Sequence, residues 1–303
     1  MAHSGKQHRV RFDFEIEFGN GGSLQGRDFR LDIDGDDIDD VALADLIVRD
    51  LRLLMVSRTR IFNKTVFAEA HKRPIADAAA RRAEGGWIDL SHVIEDGLVT
   101  YPGLPAARIC DYLSREQSRA RYAEGTEFQI ARIDIVANTG TYLDCPFHRY
   151  ADGDDLAQVG PEAFADLDAI VIRADHREVQ AIDADRFRGH ELRGRAVLVH
   201  TGWDAYWTRP EYAIGHPFLT EDAALYLRDC GVKLVGIDSM NIDDTRGNSR
   251  PVHSVLLGAN ILIVEHLCNL GALPGEGFTF SAIPPKLRGV GTFPVRALAR
   301  LRS

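Results

Sequence analysis

Three short runs of apolar residues dominate the second half of the sequence: AVLVH at 196–200, KLVGID at 233–238 and ILIVE at 261–265. Continuous runs of this kind, rich in β-branched residues, are typical of strands that are covered on both faces. Between the first two runs, TEDAALYLRDCG predicts a helix with Thr220 as its N-cap, acidic residues in its first turn and Gly231 as its stop. The sequence therefore predicts an α/β domain built on buried strands.

The first third of the chain has a different pattern. RVRFDFEIEF at 9–18 alternates apolar and mainly charged residues, which predicts a half-buried strand, and GNGG after it predicts a hairpin turn. A second strand is expected around 28–34. Asp39 or Asp40 can then cap a helix through 41–54, where apolar residues recur at helical spacing. Together these elements predict a small α+β module.

A polar, Ala-rich segment that ends in a Gly pair separates the two patterns at 70–86. Composition of this kind is typical of a linker, so we place a domain boundary near residue 85. The expected domains are the α+β module at 1–85 and the α/β domain at 86–303. No chemistry is assigned to the module, for which a packing or oligomerisation role is favoured over substrate binding.

Composition narrows the classes of function. The chain has 36 basic and 45 acidic residues and a net charge of -9, which argues against nucleic-acid and membrane-headgroup partners and leaves a small-molecule substrate. No apolar run is long enough to span a bilayer, and the N-terminus lacks the apolar core of a signal peptide. The four cysteines form no CxxC pair, which favours reduced thiols. We expect a cytoplasmic protein.

Asp144 and His148 are the first candidates for chemistry, in the stretch NTGTYLDCPFH at 138–148. Gly140 permits an unusual backbone angle and Pro146 cannot donate to a strand ladder. We therefore expect the stretch to leave a strand as an irregular loop that presents both side chains at a rim. Taken alone, this pair is better explained by an Asp that binds loop amides with a His packed beneath it.

A second candidate set lies in RPVHSVLLGANILIVEHL at 250–267. Pro251 suits the first turn of a helix that carries His253, and the following strand ends at Glu265. A carboxylate at the end of an apolar strand is costly unless it meets water, a cation or a partner. With the Asp of the first stretch, these residues could form a three-ligand divalent site with an open position, the usual form of a catalytic metal. His266 is expected to point to the opposite face.

The chain from about Trp87 to Ala299 resembles the cyclase family of metal-dependent hydrolases, which includes bacterial kynurenine formamidases and isatin hydrolase. The family signature is H-x-G-T-H-x-D-x-P-x-H, and this chain reads N-T-G-T-Y-L-D-C-P-F-H. WIDLSHVIEDGLVTYPGLP, VLVHTGWDAYW, VGIDSMNID and SAIPPKLRGVGTFPVRALA resemble further family blocks in the family order. The resemblance implies a swivelling β/β/α domain that assembles as a homodimer or homotetramer.

The resemblance also implies a ligand set. Asp144, His253 and Glu265 match family metal ligands, whereas Asn138 and Tyr142 stand where two signature histidines hold a first metal. An amide oxygen is a weak ligand, and a phenol with a pKa of about 10 is mostly protonated at neutral pH. We therefore expect at most one divalent metal, zinc or manganese, and a site without metal is the alternative.

Catalytic and substrate roles follow from the same alignment. His148 matches the family acid/base histidine, which can take a proton and return it to a leaving nitrogen at neutral pH. Tyr142 is expected to donate a hydrogen bond to a developing oxyanion. Tyr101, Asn138 and Trp203 are assigned to substrate binding, and ordinary core packing is an equal alternative for Tyr101 and Trp203.

Three functions compete at this stage. The first is a metal-dependent hydrolase of a small amide, cyclic imide or lactone, which the surviving ligands and acid/base histidine favour. The second is a non-hydrolytic cyclase or dehydratase that uses Tyr142 and His148, with the metal optional. The third is an inactive scaffold. The sequence does not name the substrate.

Overall fold

A computed structural model describes residues 7–33, 35–51, 53, 55–69 and 86–302. The chain divides into two compact units, Met1–Ala78 and Ala79–Ser303. The boundary predicted near residue 85 lies outside the described residues, and the role of the first unit stays a prediction. None of the described helices is long and apolar enough to cross a membrane.

The first unit is a three-stranded antiparallel sheet with one helix. Its elements in chain order are β1 (Gln7–Phe18), β2 (Ser23–Ile33), α1 (Asp40–Asp50) and β3 (Val56–Glu69). The sheet order is β2-β1-β3. The alternating apolar residues of β1 are buried against Leu43 and Ile47 of α1, and Asp39 caps the helix by accepting a hydrogen bond from Ala42 N.

Sequence reasoning missed β3 and placed the end of α1 too late. In β3, Asn63 has a left-handed φ of 53° and its Nδ2 donates to Asp13 Oδ2 of β1 at 2.7 Å. The pairing with β1 shifts register there, which interrupts the apolar–polar alternation that would have indicated a strand. The helix ends at Asp50, with Leu51 as its C-cap.

The second unit carries the remaining elements, and the long apolar runs fall on its strands. In chain order they are β4 (Trp87–Asp89), β5 (Arg108–Leu113), α2 (Arg115–Arg119), β6 (Ile130–Asp134), β7 (Tyr142–Asp144), β8 (Leu167–Arg173), β9 (Ala181–Ile182), β10 (Ala196–His200), β11 (Phe218–Leu219), α3 (Glu221–Cys230), β12 (Leu234–Ile237), α4 (Pro251–Gly258), β13 (Leu262–Glu265), β14 (Phe278–Ile283), β15 (Thr292–Pro294) and β16 (Arg296–Leu301).

Nine of these strands form one mixed sheet in the order β15-β7-β13-β12-β10-β8-β14-β16-β4. The four central strands, β8, β10, β12 and β13, are parallel to one another, and α3 and α4 form connections between them. Alternate side chains of these strands enter two separate apolar clusters. Both faces of the central strands are therefore covered, which explains why the runs are continuously apolar.

The edge of the sheet beyond β13 positions the candidate site. β7 pairs antiparallel with β13, so that Tyr142 lies opposite Glu265, and β15 pairs with the other side of β7, so that Thr292 lies opposite Asp144. The prediction of an irregular loop for Asp144 is wrong, because Tyr142–Asp144 is a fully buried strand. Only His148 leaves the sheet, in a 3-10 turn over Pro146–His148.

Candidate metal centre

Asp144 is the innermost residue of the centre. Its side chain is 0% exposed, and its Oδ1 accepts a hydrogen bond from Thr292 Oγ1 at 2.5 Å. Oδ2 is buried and has no hydrogen-bond partner among the described residues. A buried carboxylate oxygen without a donor is costly, and a bound cation is one way to satisfy it.

His253 faces that oxygen from α4. Its Nδ1 lies 2.6 Å from Asp243 Oδ2, and the same carboxylate accepts the backbone N–H groups of Val252 and His253. The neutral ring therefore donates from Nδ1 and keeps its lone pair on Nε2. Nε2 lies 3.7 Å from Asp144 Oδ2 and 3.8 Å from Glu265 Oε1. The imidazole is oriented for a ligand between these carboxylates.

Glu265 ends β13 as the sequence predicts, and both of its oxygens accept hydrogen bonds. Oε1 accepts from Ile242 N at 2.6 Å, and Oε2 accepts from the Tyr142 hydroxyl at 2.5 Å. Burial raises the pKa of Glu265 to about 7. The charge of Asp144 raises it further, whereas the charge of His253 lowers it.

Tyr101 and Tyr142 form a hydrogen-bonded pair of phenols beside Oε2 of Glu265. Their hydroxyl oxygens are 2.7 Å apart, the Tyr101 hydroxyl also lies 2.7 Å from Met240 O, and Asn241 Nδ2 donates to it at 3.1 Å. Burial, followed by the charge of Glu265, raises the pKa of both phenols well above 10. Both groups are therefore neutral hydrogen-bond donors.

His148 is the most accessible member of the centre, with a side chain that is 34% exposed. Its Nδ1 lies 2.6 Å from Thr292 Oγ1 and 3.8 Å from Asp144 Oδ1. Its ring centroid is 6.0 Å from that of His253. An imidazole that combines exposure with a fixed inner nitrogen is suited to exchanging protons with a substrate or water.

Ligand atoms of Asp144, His148 and His253 all lie within 4.8 Å of one another, so these side chains could hold a metal ion. The sequence predicts Glu265 rather than His148 as the third ligand, and that assignment stays a prediction. Burial lowers the pKa of His253, but the hydrogen bond to Asp243 and the nearby carboxylates of Asp144 and Glu265 outweigh it and raise the pKa to about 10. The centre thus favours added positive charge, which fits a divalent cation.

The three predicted substrate residues occupy different places. Tyr101 belongs to the phenol pair. Asn138 is half-buried just before Gly140, in the turn that leads into β7. Trp203 lies beyond the end of β10, where its indole donates to Tyr212 O at 3.0 Å and packs against His176. The substrate roles of all three stay predictions.

His266 does not point away from the centre as predicted. The strand ends at Glu265, and His266 has a left-handed φ of 55°, so that strand alternation no longer applies. Its ring centroid lies 5.1 Å from that of Tyr142, and its Nδ1 is 2.9 Å from the hydroxyl of Tyr212. Burial lowers its pKa well below the usual value, so a neutral imidazole packs behind the phenol pair.

Sequence reasoning missed Asp243 and Thr292. Asp243 lies in the block VGIDSMNID, ten residues before His253, but nothing in the sequence separates it from Asp238 as the partner of that histidine. Thr292 carries no chemical signal of its own. It reaches the centre only because β15 pairs with β7.

The centre lies at the edge of a mixed α/β sheet and combines buried carboxylates, two imidazoles and a carboxylate oxygen that has no hydrogen-bond partner among the described residues. Metal-dependent hydrolases use centres of this type. The family described as "Putative cyclase" matches residues 88–244, and the chain belongs to this cyclase family of metal-dependent hydrolases. The resemblance stated from the sequence blocks is thereby confirmed.

Individual relatives agree with this assignment. The kynurenine formamidase of Geobacillus thermodenitrificans (strain NG80-2) is 27% identical over 216 residues, which are 71% of this chain and 97% of the relative. Isatin hydrolase A from Labrenzia aggregata has a TM-score of 0.61 at 21% identity, covering 72% of this chain and 94% of that one, and it shows the fold alone. A protein described as a "potential metal-dependent hydrolase with cyclase activity" has a TM-score of 0.58 at 25% identity, covering 72% and 98%. The predicted cyclase-like α/β fold is confirmed, and the relatives support an enzyme of this family.

Proposed function

We propose that this protein is a hydrolase of a small amide, cyclic imide or lactone that works with one divalent cation, zinc or manganese. The observation that carries the proposal is Oδ2 of Asp144, which has no hydrogen-bond partner in the described part of the chain and lies 3.7 Å from Nε2 of His253. The kynurenine formamidase relatives and the metal-dependent hydrolase neighbour support the same class of reaction.

The donor set suits the cation. Asp144 Oδ2 and His253 Nε2 would hold it, with Glu265 Oε1 as the third ligand, and carboxylates with imidazoles suit zinc and manganese. Lewis-acid polarisation of the substrate carbonyl is the chemistry that such a cation supplies when bound. Because Tyr142 occupies Oε2 of Glu265, we propose room for a single cation.

The side chains supply the proton transfers. His148 takes the proton of the attacking water and returns it to the leaving nitrogen or oxygen. Tyr142, a neutral phenol, is proposed to donate to the developing oxyanion. In the structure the phenol donates to Glu265, so the oxyanion contact requires Tyr142 to release that carboxylate when substrate binds.

A cyclase or dehydratase is the second candidate. The observation in its favour is the chain of hydrogen bonds from Tyr101 through Tyr142 to Glu265, since paired phenols beside a carboxylate can move protons without a cation. In this case Tyr142 and His148 act as the acid/base pair. An inactive scaffold is the least favoured reading, because it leaves the buried Asp144 oxygen without a role.

Elemental analysis of the purified protein, combined with turnover of a panel of amides, imides and lactones, tests the hydrolase. We expect about one zinc or manganese per chain, lost in Asp144→Asn and reduced together with turnover in Glu265→Gln. His148→Ala should keep the metal and abolish turnover. Absence of metal after reloading with either ion, or unchanged turnover in the last two variants, would contradict the proposal and favour cyclisation or dehydration substrates.

We also propose that the protein forms a homo-oligomer, a homodimer or homotetramer, through the ribbon of residues 108–134. In the ribbon, β5 and β6 pair with each other and with no other described strand. Tyr112 and Ile133 on these strands are 72% and 60% exposed. A two-stranded hairpin is marginal alone, so a covering surface is expected. The ribbon carries five basic and five acidic residues, so a second copy of this acidic chain can approach it without charge repulsion.

Light scattering after gel filtration tests the assembly. Ile133→Asp should convert the oligomer to a monomer, whereas Ile214→Asp, at a residue that is 73% exposed outside the ribbon, should not. A monomeric wild-type protein would contradict the proposal.

We further propose a cytoplasmic location, supported by four free cysteines, all within the described part of the chain.

A further inference from the structure

Thr292 lies between the carboxylate and the exposed imidazole of the centre. It is 3% exposed, on β15, directly opposite Asp144 of β7. Its Oγ1 is 2.5 Å from Asp144 Oδ1 and 2.6 Å from His148 Nδ1. The hydroxyl is therefore shared by two groups that the proposed mechanism uses for different tasks.

The number of protons decides the direction of both hydrogen bonds. A hydroxyl has one proton, and an ionised carboxylate can only accept, so the Thr292 proton goes to Asp144 Oδ1. The hydroxyl oxygen must then accept from His148, which places the proton of the neutral imidazole on Nδ1. The lone pair is left on Nε2, the nitrogen that can take a proton from elsewhere.

Gly291, the residue before Thr292, restricts the backbone of His148. A Cβ atom on Gly291 would overlap the backbone nitrogen and Cα of His148, so these two stretches are in direct contact. The Cys145 N–H also donates to Gly291 O at 2.9 Å. Residues 291 and 292 thus hold both the main chain and the ring of His148.

We propose that Thr292 is a positioning residue that ties His148 to Asp144 and selects the tautomer with Nε2 free. Asp144 then divides its oxygens: Oδ1 orients the base through Thr292, and Oδ2 is left for His253 and the cation. The catalytic part of this inference rests on the proposed function. The tautomer part does not, because it depends only on the hydrogen bonds of the chain.

Two substitutions separate this role from simple packing. Thr292→Val keeps the shape and removes the hydroxyl, and Thr292→Ser keeps the hydroxyl and removes a methyl group. With zinc or manganese in excess, we expect Thr292→Val to keep the KM of the wild type while kcat falls by roughly 10- to 100-fold, because a misoriented base forfeits part of the 10²–10⁴ that acid–base catalysis supplies. Thr292→Ser should recover most of kcat.

Nitrogen-15 NMR of histidine-labelled protein gives a readout without substrate or metal, with the His148 signals identified by their loss in His148→Gln. Wild type and Thr292→Ser should show the proton on Nδ1, and Thr292→Val should shift it toward Nε2. An unchanged tautomer in Thr292→Val, or failure of serine to rescue kcat, would overturn the inference. An inactive, metal-free wild type with the expected tautomers would instead reject the proposed function alone.

Discussion

Tyr142 and Glu265 face each other across β7 and β13, and the phenol donates to the carboxylate at 2.5 Å. Tyr142→Phe should leave Oε2 of the buried Glu265 with only the Tyr101 hydroxyl at 3.4 Å. We expect the free energy of unfolding to fall by about 1–3 kcal/mol, the usual cost of an unsatisfied buried acceptor. Urea unfolding measures the change.

Tyr101→Phe is the matched control for that substitution. It removes the contacts with Met240 O, Asn241 Nδ2 and the Tyr142 hydroxyl, which are all neutral groups, but keeps the short hydrogen bond from Tyr142 to the Glu265 carboxylate. The loss of stability should therefore be smaller than for Tyr142→Phe. Equal effects of the two substitutions would show that the pair acts only as a packed unit.

Asp243 orients His253, so Asp243→Asn should weaken metal binding without removing a ligand. Loss of the carboxylate partner of a ligating histidine typically lowers metal affinity by about 10–100-fold. Competition with a chelator measures the affinity. Asp244→Asn is the control, because the neighbouring carboxylate pairs with Arg246 at the surface. An affinity in Asp243→Asn equal to that of the control would contradict the assigned role.

Gly291 should not tolerate a side chain. A Cβ at this position would overlap the main chain of His148, which has no flexible end that could move aside. We expect Gly291→Ala to lower both turnover and thermal stability. Gly247→Ala, where a Cβ would meet nothing within 4 Å, should leave both unchanged. Wild-type turnover in Gly291→Ala would show that the His148 turn can shift freely.

Asp238 should make stability depend on pH near neutrality. Burial raises its pKa to about 7 from the ordinary 3.8, against the hydrogen bonds that it accepts from Thr201 and Gly202. Because the folded-state pKa is raised, the stabilisation from the bound proton is complete below 3.8 and is lost as pH rises through about 7. The stability of the wild type relative to Asp238→Asn should therefore fall between about pH 5 and pH 7, by at most about 1.4 kcal/mol per pH unit, and level off at higher pH.

Asp155 is a control of opposite sign. The N–H groups of Gly289, Ala157 and Gln158 lower its pKa, so its contribution is present above the ordinary value of 3.8 and is lost only as pH falls below it. The difference between wild type and Asp155→Asn should stay level over the pH range used for Asp238. Urea unfolding at several pH values measures both differences, and a level difference for Asp238→Asn would show that Asp238 is ionised in the folded protein.

Local signals explain what could be predicted of the fold. The helix bounded by Thr220 and Gly231 has the predicted caps, and the helix that carries His253 begins at Pro251. These helix boundaries depend on residues within one turn of each helix end, so the local sequence is sufficient to predict them. β3 was missed because a left-handed residue and a register shift interrupt its pattern, and neither is visible without the partner strand.

The sequence by itself determined the chemical types at the centre: Asp144, His148, His253 and Glu265 are recognisable from motifs and from polar residues at the ends of apolar segments. Tertiary structure decided how they are held. Thr292 meets Asp144 across 148 residues of chain, and Tyr142 meets Glu265 across 123. Such contacts arise from strand pairing, which depends on the packing of the whole sheet, and no local pattern encodes which distant hydroxyl will supply the hydrogen bond.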